Sequence, residues 1–239
     1  GIPSGWTVQV EGGVTPEPEP EKDYLCFTST GDSTVAMHQE GTPSASANKV
    51  IQYKLNDGQW QNWDLSAVTL TDGDKMYLKS DDEIPMSEAD SICKKFTMTG
   101  SIAASGNIMS LLNFSTTLTD SRFTSLFENC TSLTAAPELP ATTLCYACYT
   151  GMFYNCQSLT QAPALPATTL ADNCYSNMFN FCSSLVQAPE LPATTLASYC
   201  YYMMFANCSK LNYVKAMFTD SPGSYIEGWL SGVSSTGTF

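Results

Sequence analysis

Histidine occurs once in the 239 residues, as His38, and lysine plus arginine total 10 against 23 aspartates and glutamates, for a formal net charge of −13. One histidine leaves Ser-His-Asp and Cys-His catalysis dependent on a single strand residue far in sequence from most cysteines. The shortage of positive charge argues against binding nucleic acid or anionic lipid through a basic patch. No run approaches the roughly eighteen apolar residues of a membrane-spanning helix, so no membrane insertion is expected. The first ten residues, GIPSGWTVQV, lack both the basic and the apolar region of a signal peptide. The start therefore suggests a chain that begins after an export signal or in the middle of a larger protein.

What is present is repetition. The hexapeptide LPATTL stands at 139–144, 165–170 and 191–196, a constant interval of 26 residues. The same interval relates Cys130, Cys156, Cys182 and Cys208, then Phe127, Phe153, Phe179 and Phe205, and Leu133, Leu159, Leu185 and Leu211. A fixed period of this size marks a solenoid, in which each unit buries its apolar face only against its neighbours. A fainter unit precedes these around Thr116-Thr117-Leu118, and a degenerate one follows around Ile226 and Leu230. Both suit end coils.

Within a unit, Leu170, Cys174 and Met178 fall at i, i+4 and i+8, one face of a short helix. Residues 158–162 read as a short strand. Pro163 and Pro166, repeated as Pro137/Pro140 and Pro189/Pro192, remove ladder donors at the same place in each unit. A spine of roughly three paired residues per unit is expected.

The F-x-x-C-x-x-L core followed by a strand and a leucine-proline step, over about residues 100 to 230, resembles the leucine-rich repeats of BspA-like surface proteins from Bacteroides-type bacteria. The resemblance implies an exported, surface-displayed, extracellular binding protein, with adhesion as its usual role. In that family a stretch similar to GIPSGWTVQ closes a repeat module and one similar to residues 229–239 lies shortly before it. A tandem array is the expectation that follows.

The first half differs. Residues 15–22 alternate proline and glutamate, a spacer unable to bury a core. Residues 24–28, 33–37, 50–55, 68–70 and 75–79 alternate as half-buried strands, with turn signals at Asn56-Asp57-Gly58 and Asp72-Gly73-Asp74. Sixteen of the acids precede residue 100. The expected class is α+β: a small antiparallel β-sandwich at 23–98, after a tail and linker at 1–22, followed at 99–239 by a leucine-rich-repeat solenoid with a short strand and a short helix per unit.

Ten cysteines raise disulfide and metal readings. Successive coils about 4.8 Å apart would permit a Cys130–Cys156 bridge, but stacked thiols in a dry interior are ordinary packing and reduced ladders are favoured. Cys145-x-x-Cys148 resembles half a zinc site, yet Ala171 and Ala197 replace Cys145 in later units and no histidine is near. Asp57-Gly-Gln-Trp and Asp72-Gly-Asp-Lys lack the spacing of a calcium loop. Asp81-Asp82-Glu83 reads as a solvated loop rather than a glycosidase pair. No cofactor is expected.

Positions that vary within the repeat on the strand face are free to carry specificity: Ala135, Gln161, Gln187 and Tyr213, and also Glu138, Ala164, Glu190 and Ala216. The other side offers tyrosines, among them Tyr175 and Tyr201, whose rings give contact area with a hydrogen-bonding end. Gln161, Gln187, Tyr213, Glu138, Glu190, Tyr175 and Tyr201 are the candidate ligand-binding residues. The function expected is non-enzymatic recognition of a host or matrix protein by a monomer. The rivals are a carbohydrate-binding part in glycan uptake, favoured by Trp60 and Trp63 if exposed side by side, and a plain spacer in a surface array.

Overall fold

Alternation on the first strands sets the sandwich. In the computed structural model, which describes residues 22–42, 50–81, 86–89, 91–219 and 223–239, β1 (Leu25–Ser29) turns Leu25 and Phe27 inward and Cys26 to the opposite face. β6 (Lys75–Ser80) pairs antiparallel with it and does the same with Met76 and Leu78. Between them in sequence lie β2 (Ser33–Gln39), β3 (Ile51–Leu55), β4 (Gln61–Asn62) and β5 (Val68–Leu70). After them come β7 (Ser87–Ala89), β8 (Ile92–Thr99), β9 (Ile102–Ser105), β10 (Leu133–Ala135), β11 (Gln187–Leu191) and β12 (Tyr213–Ala216). One sheet has the order β10-β9-β1-β6-β3-β4, the other β5-β2-β8-β7, and β11 and β12 pair apart. The Asp72-Gly73 turn takes its positive φ at Gly73, whereas at Asn56-Asp57-Gly58 it is Asn56 that adopts it.

The sandwich and the repeats share one core. β8 stands where a preceding unit would. The Phe96 amide donates to the Leu126 carbonyl at 2.8 Å, and the Phe96 ring stacks on Phe127 at 5.0 Å. β10, from the first unit, extends the sandwich sheet by pairing parallel to β9. The stack then runs on through Phe153, Phe179 and Phe205 at 5.3, 5.5 and 5.6 Å with nearly parallel rings. Trp229 covers its end, tilted against Phe205.

The α+β class with a helix in every unit is overturned. Among the described residues there is no α-helix, only β-strands and two short 3-10 turns at Ile108–Leu112 and Gly223–Tyr225. Left-handed backbone recurs every fourth residue where the helix was expected: Ala147, Gly151 and Asn155, then Asn173, Asn177 and Phe181, then Tyr199, Met203 and Asn207. No helix continues through such residues. Amide bonding shows why. The N–H groups of Thr150, Met152, Tyr154 and Cys156 close turns onto carbonyls three residues back, while those of Ala147, Tyr149, Gly151, Phe153 and Asn155 donate to carbonyls of the next unit. Alternate donors thus leave the local chain for its neighbour.

The strand spine is also not the continuous ladder that a closed solenoid would have. Among the described residues the second unit holds two isolated bridges to the first, Ala135 to Gln161 and Thr143 to Thr169, and β11 pairs only with β12. Prolines at 163 and 166, and at 189 and 192, deprive the two middle units of donors. In the fourth unit Lys215 and Phe218 hold the corresponding places, and β12 can pair. The expectations for residues 1–21, with the Pro/Glu tract, and for Asp82 and Glu83 fall outside the described residues.

Candidate functional site

The missing ladder between the second and third units leaves an open groove of about 760 Å³. One wall is the extended segment Thr160 to Pro166, the other Val186 to Pro192. Pro163, Leu165 and Ala188 are buried along it, while Gln161, Ala164, Gln187 and Glu190 are exposed. A hollow of about 250 Å³ continues the same face toward the first unit, sharing Pro163, Ala164 and Pro166 and adding Glu138. The surface combines rigid apolar rings with amide and carboxylate groups at its rim.

Four of the seven candidate residues therefore lie along one face: Gln161, Gln187 and Glu190 in the groove, Glu138 in its continuation. Gln187 is held by β11, in register with Tyr213 of β12. Glu190 accepts from Lys215 Nζ at 3.0 Å, with both side chains about half exposed. Glu138 is fixed through its main chain, its N–H donating to Gly106 and its carbonyl accepting from Ile108. Tyr213 is set apart, in a separate hollow of about 130 Å³ with Phe239.

Tyr175 and Tyr201 do not belong to this surface, and their assignment to it is corrected. Each is 1% exposed; Tyr175 stacks on Tyr149 at 5.9 Å and Tyr201 on Tyr175 at 6.0 Å in a buried ladder. The four-residue turn brings every fourth side chain inward, so these rings belong to the core. Tyr146 and Tyr199, three and two residues earlier, are the exposed ones.

The thiols are packing groups with a hydrogen-bonding task. Cys130 Sγ donates to the Phe96 carbonyl, Cys156 to Phe127, Cys182 to Phe153 and Cys208 to Phe179, at 3.0–3.2 Å. Each thiol ties its unit to the phenylalanine of the one before. None of the ten cysteines forms a disulfide. Burial pushes Cys130, Cys148 and Cys208 up to about 12 and Cys93 and Cys200 to about 11, and holds Cys156, Cys174 and Cys182 well above the usual thiol range. Protonated thiols are poor nucleophiles and poor metal ligands.

His38 is exposed on β2, in register with Lys95. Among the described residues no three His, Cys, Asp or Glu side chains gather as metal ligands. No helix among them is long and apolar enough to cross a membrane. Trp63 is buried, its Nε1 donating to the Ser66 carbonyl at 2.9 Å, while Trp60 is half-buried at the surface. The two are not an exposed pair. Sequence reasoning took the groove's prolines as architecture only and missed Val186. The doubled proline step, absent from the fourth unit, was the available signal.

Comparison with known protein families, curated proteins and solved structures finds no match. The likeness of the repeats to BspA-like proteins consequently rests on the repeat residues alone.

Proposed function

We propose that the protein is a non-catalytic, extracellular recognition module that holds a segment of a partner protein in the proline-lined groove between its second and third repeat units. The observation that carries this is the coincidence of Gln161, Gln187 and Glu190, free to vary within the repeat, with the walls of that groove. Proline and alanine present apolar surface that loses no side-chain freedom on binding, and the flanking amides can pair with the main chain of an extended segment. Glutamine and glutamate at the rim give register. The protonated thiols and solitary His38 support binding rather than covalent chemistry.

The test is surface-plasmon measurement of the full chain against immobilised fibronectin, laminin and collagen, compared with a Gln161→Ala/Gln187→Ala/Glu190→Ala variant. The Glu190–Lys215 pair is exposed and screened by solvent, so the variant is expected to keep its fold. A partner bound at least about tenfold more weakly by the variant, a loss of roughly 1.4 kcal/mol, agrees with the proposal. Binding unchanged by all three substitutions, or no binding to any of these proteins, counts against it.

A further inference from the structure

The outer face of the six-stranded sheet gathers cations in a chain that has few. β1 and β6 turn Cys26, Thr28, Lys75, Tyr77 and Lys79 away from the core, and β3 places Lys54 beside Tyr77 and Gln52 beside Lys79. Trp60, between β3 and β4, stands over this face. The Nζ atoms of Lys79 and Lys54 lie over its ring, 5.1 and 5.5 Å from the centroid, and Lys54 Nζ is also over the Tyr77 ring at 4.9 Å. Tyr24 meets Trp60 edge-on at 4.9 Å, and Phe114 continues the aromatic row at 5.5 Å, with Lys22 over it. Beside them opens a hollow of about 300 Å³, lined in part by Lys22, Tyr24, Lys75, Tyr77 and Ser105.

The face carries four of the chain's ten basic residues, Lys22, Lys54, Lys75 and Lys79. Among the described residues Asp23 lines the hollow, Asp81 binds Lys79 at 2.8 Å and Asp74 adjoins Lys75, giving a local balance of +4 − 3 = +1 within a chain of −13. Asp74, next to Lys75, is turned into its own loop, accepting from Thr71 and Asn56 at 2.8 Å.

We propose that this face binds an acidic polysaccharide, a chain of pyranose rings bearing carboxylates. The Lys54 and Lys79 ammonium groups rest over the indole; drawn off it by the carboxylates of a ligand, they uncover the ring for the C–H face of a sugar. The charge pattern selects this occupant. A polyphosphate backbone supplies charge without a pyranose C–H face for the indole, whereas an acidic glycan supplies both, and its carboxylates feel mainly the local lysines because surrounding charge is screened within about 8 Å at physiological salt. A neutral glycan would leave the lysines unused. The site is built on the sandwich and is independent of the groove.

Affinity electrophoresis of the full chain through gels containing polygalacturonate, with dextran as the neutral control, tests the assignment. Retardation by polygalacturonate alone is expected, weakened about tenfold in Trp60→Ala and in Lys54→Gln/Lys79→Gln, and falling as salt is raised from roughly 0.05 to 0.5 M. The double lysine variant changes only partly exposed side chains and decides the matter if Trp60→Ala fails to fold. Equal retardation by dextran, none by polygalacturonate, or full retention in the lysine variant overturns the proposal. So does loss only in the Gln161/Gln187/Glu190 variant, or stronger retention by polyadenylate.

Discussion

Gly151 separates a helical from a turn-built repeat by the sign of one substitution. It has φ +59, and its counterparts Ser125, Asn177 and Met203 have φ 56, 55 and 49. A Cβ added there meets Ser125 Oγ at 3.4 Å and Tyr154 Cβ at 4.0 Å, ordinary contact distances. The effect of Gly151→Ala is therefore conformational. A Cβ in left-handed backbone costs roughly 1–2 kcal/mol, and the lower entropy of the unfolded alanine chain offsets about 0.4–1 kcal/mol. The net expectation is a destabilisation of about 0.5–1 kcal/mol. For a chain of this size each 1 kcal/mol lowers Tm by about 2–4 °C. In a helix interior the same change would stabilise by about 0.8–1 kcal/mol. Urea unfolding followed by tryptophan fluorescence reports it, because Trp63 and Trp229 are buried. Gly151→Asn, matching Asn177, should lie between parent and alanine variant. An alanine variant more stable than the parent would refute the turn geometry.

Two further outcomes follow from the charges and thiols. Because burial keeps most thiols protonated, a thiol-specific reagent at pH 8 should react first with Cys145, the least buried of the ten, and with the ladder thiols only on unfolding; several thiols reacting within minutes in the native protein would contradict this. Lys95 lies 2.9 Å from Glu40 and 2.7 Å from Glu128, and that lysine holds the Glu40 carboxyl below its usual range. A lowered folded value stabilises at neutral pH and is lost as pH falls through it. With Glu40 largely solvated, Glu40→Gln should cost less than about 1 kcal/mol at pH 7, and the difference should shrink as pH falls below the ordinary glutamate range; denaturation at neutral and acid pH checks this, and a gap that widens in acid would be the wrong sign.

The period, the phenylalanine and thiol ladders and five sandwich strands were legible in the sequence, because burial alternation and a 26-residue interval are properties of the side chains. The turn conformation was not read, although a signal existed. Leu170, Cys174, Met178 and Cys182 keep a strict step of four. In a helix each such step drifts by about 40°, so four members spread over about 120°, wider than a single packed line. A four-residue turn returns each to the same side, and the three last are fully buried. Asparagine at Asn155, Asn173, Asn177 and Asn207 was the second clue, since it tolerates left-handed backbone better than most residues. Which tyrosine of each unit faces inward depends on that turn, so the misplacement of Tyr175 and Tyr201 was the same error.

The groove follows from how bonding is divided between the two sides of the repeat. On the turn side, Ala147, Tyr149, Gly151, Phe153 and Asn155 each donate to the next unit, and Cys182 Sγ ties the third unit back to Phe153. These bonds and the stacked rings hold neighbouring units in register without help from the strands. The strand side is then free to surrender its ladder, as prolines at 163, 166, 189 and 192 require. Both facing segments carry prolines between the first and second units, where the Ala135–Gln161 and Thr143–Thr169 bridges remain beside the smaller hollow, and between the second and third, where the chain opens into the groove. Where the fourth unit lacks them, β12 closes against β11.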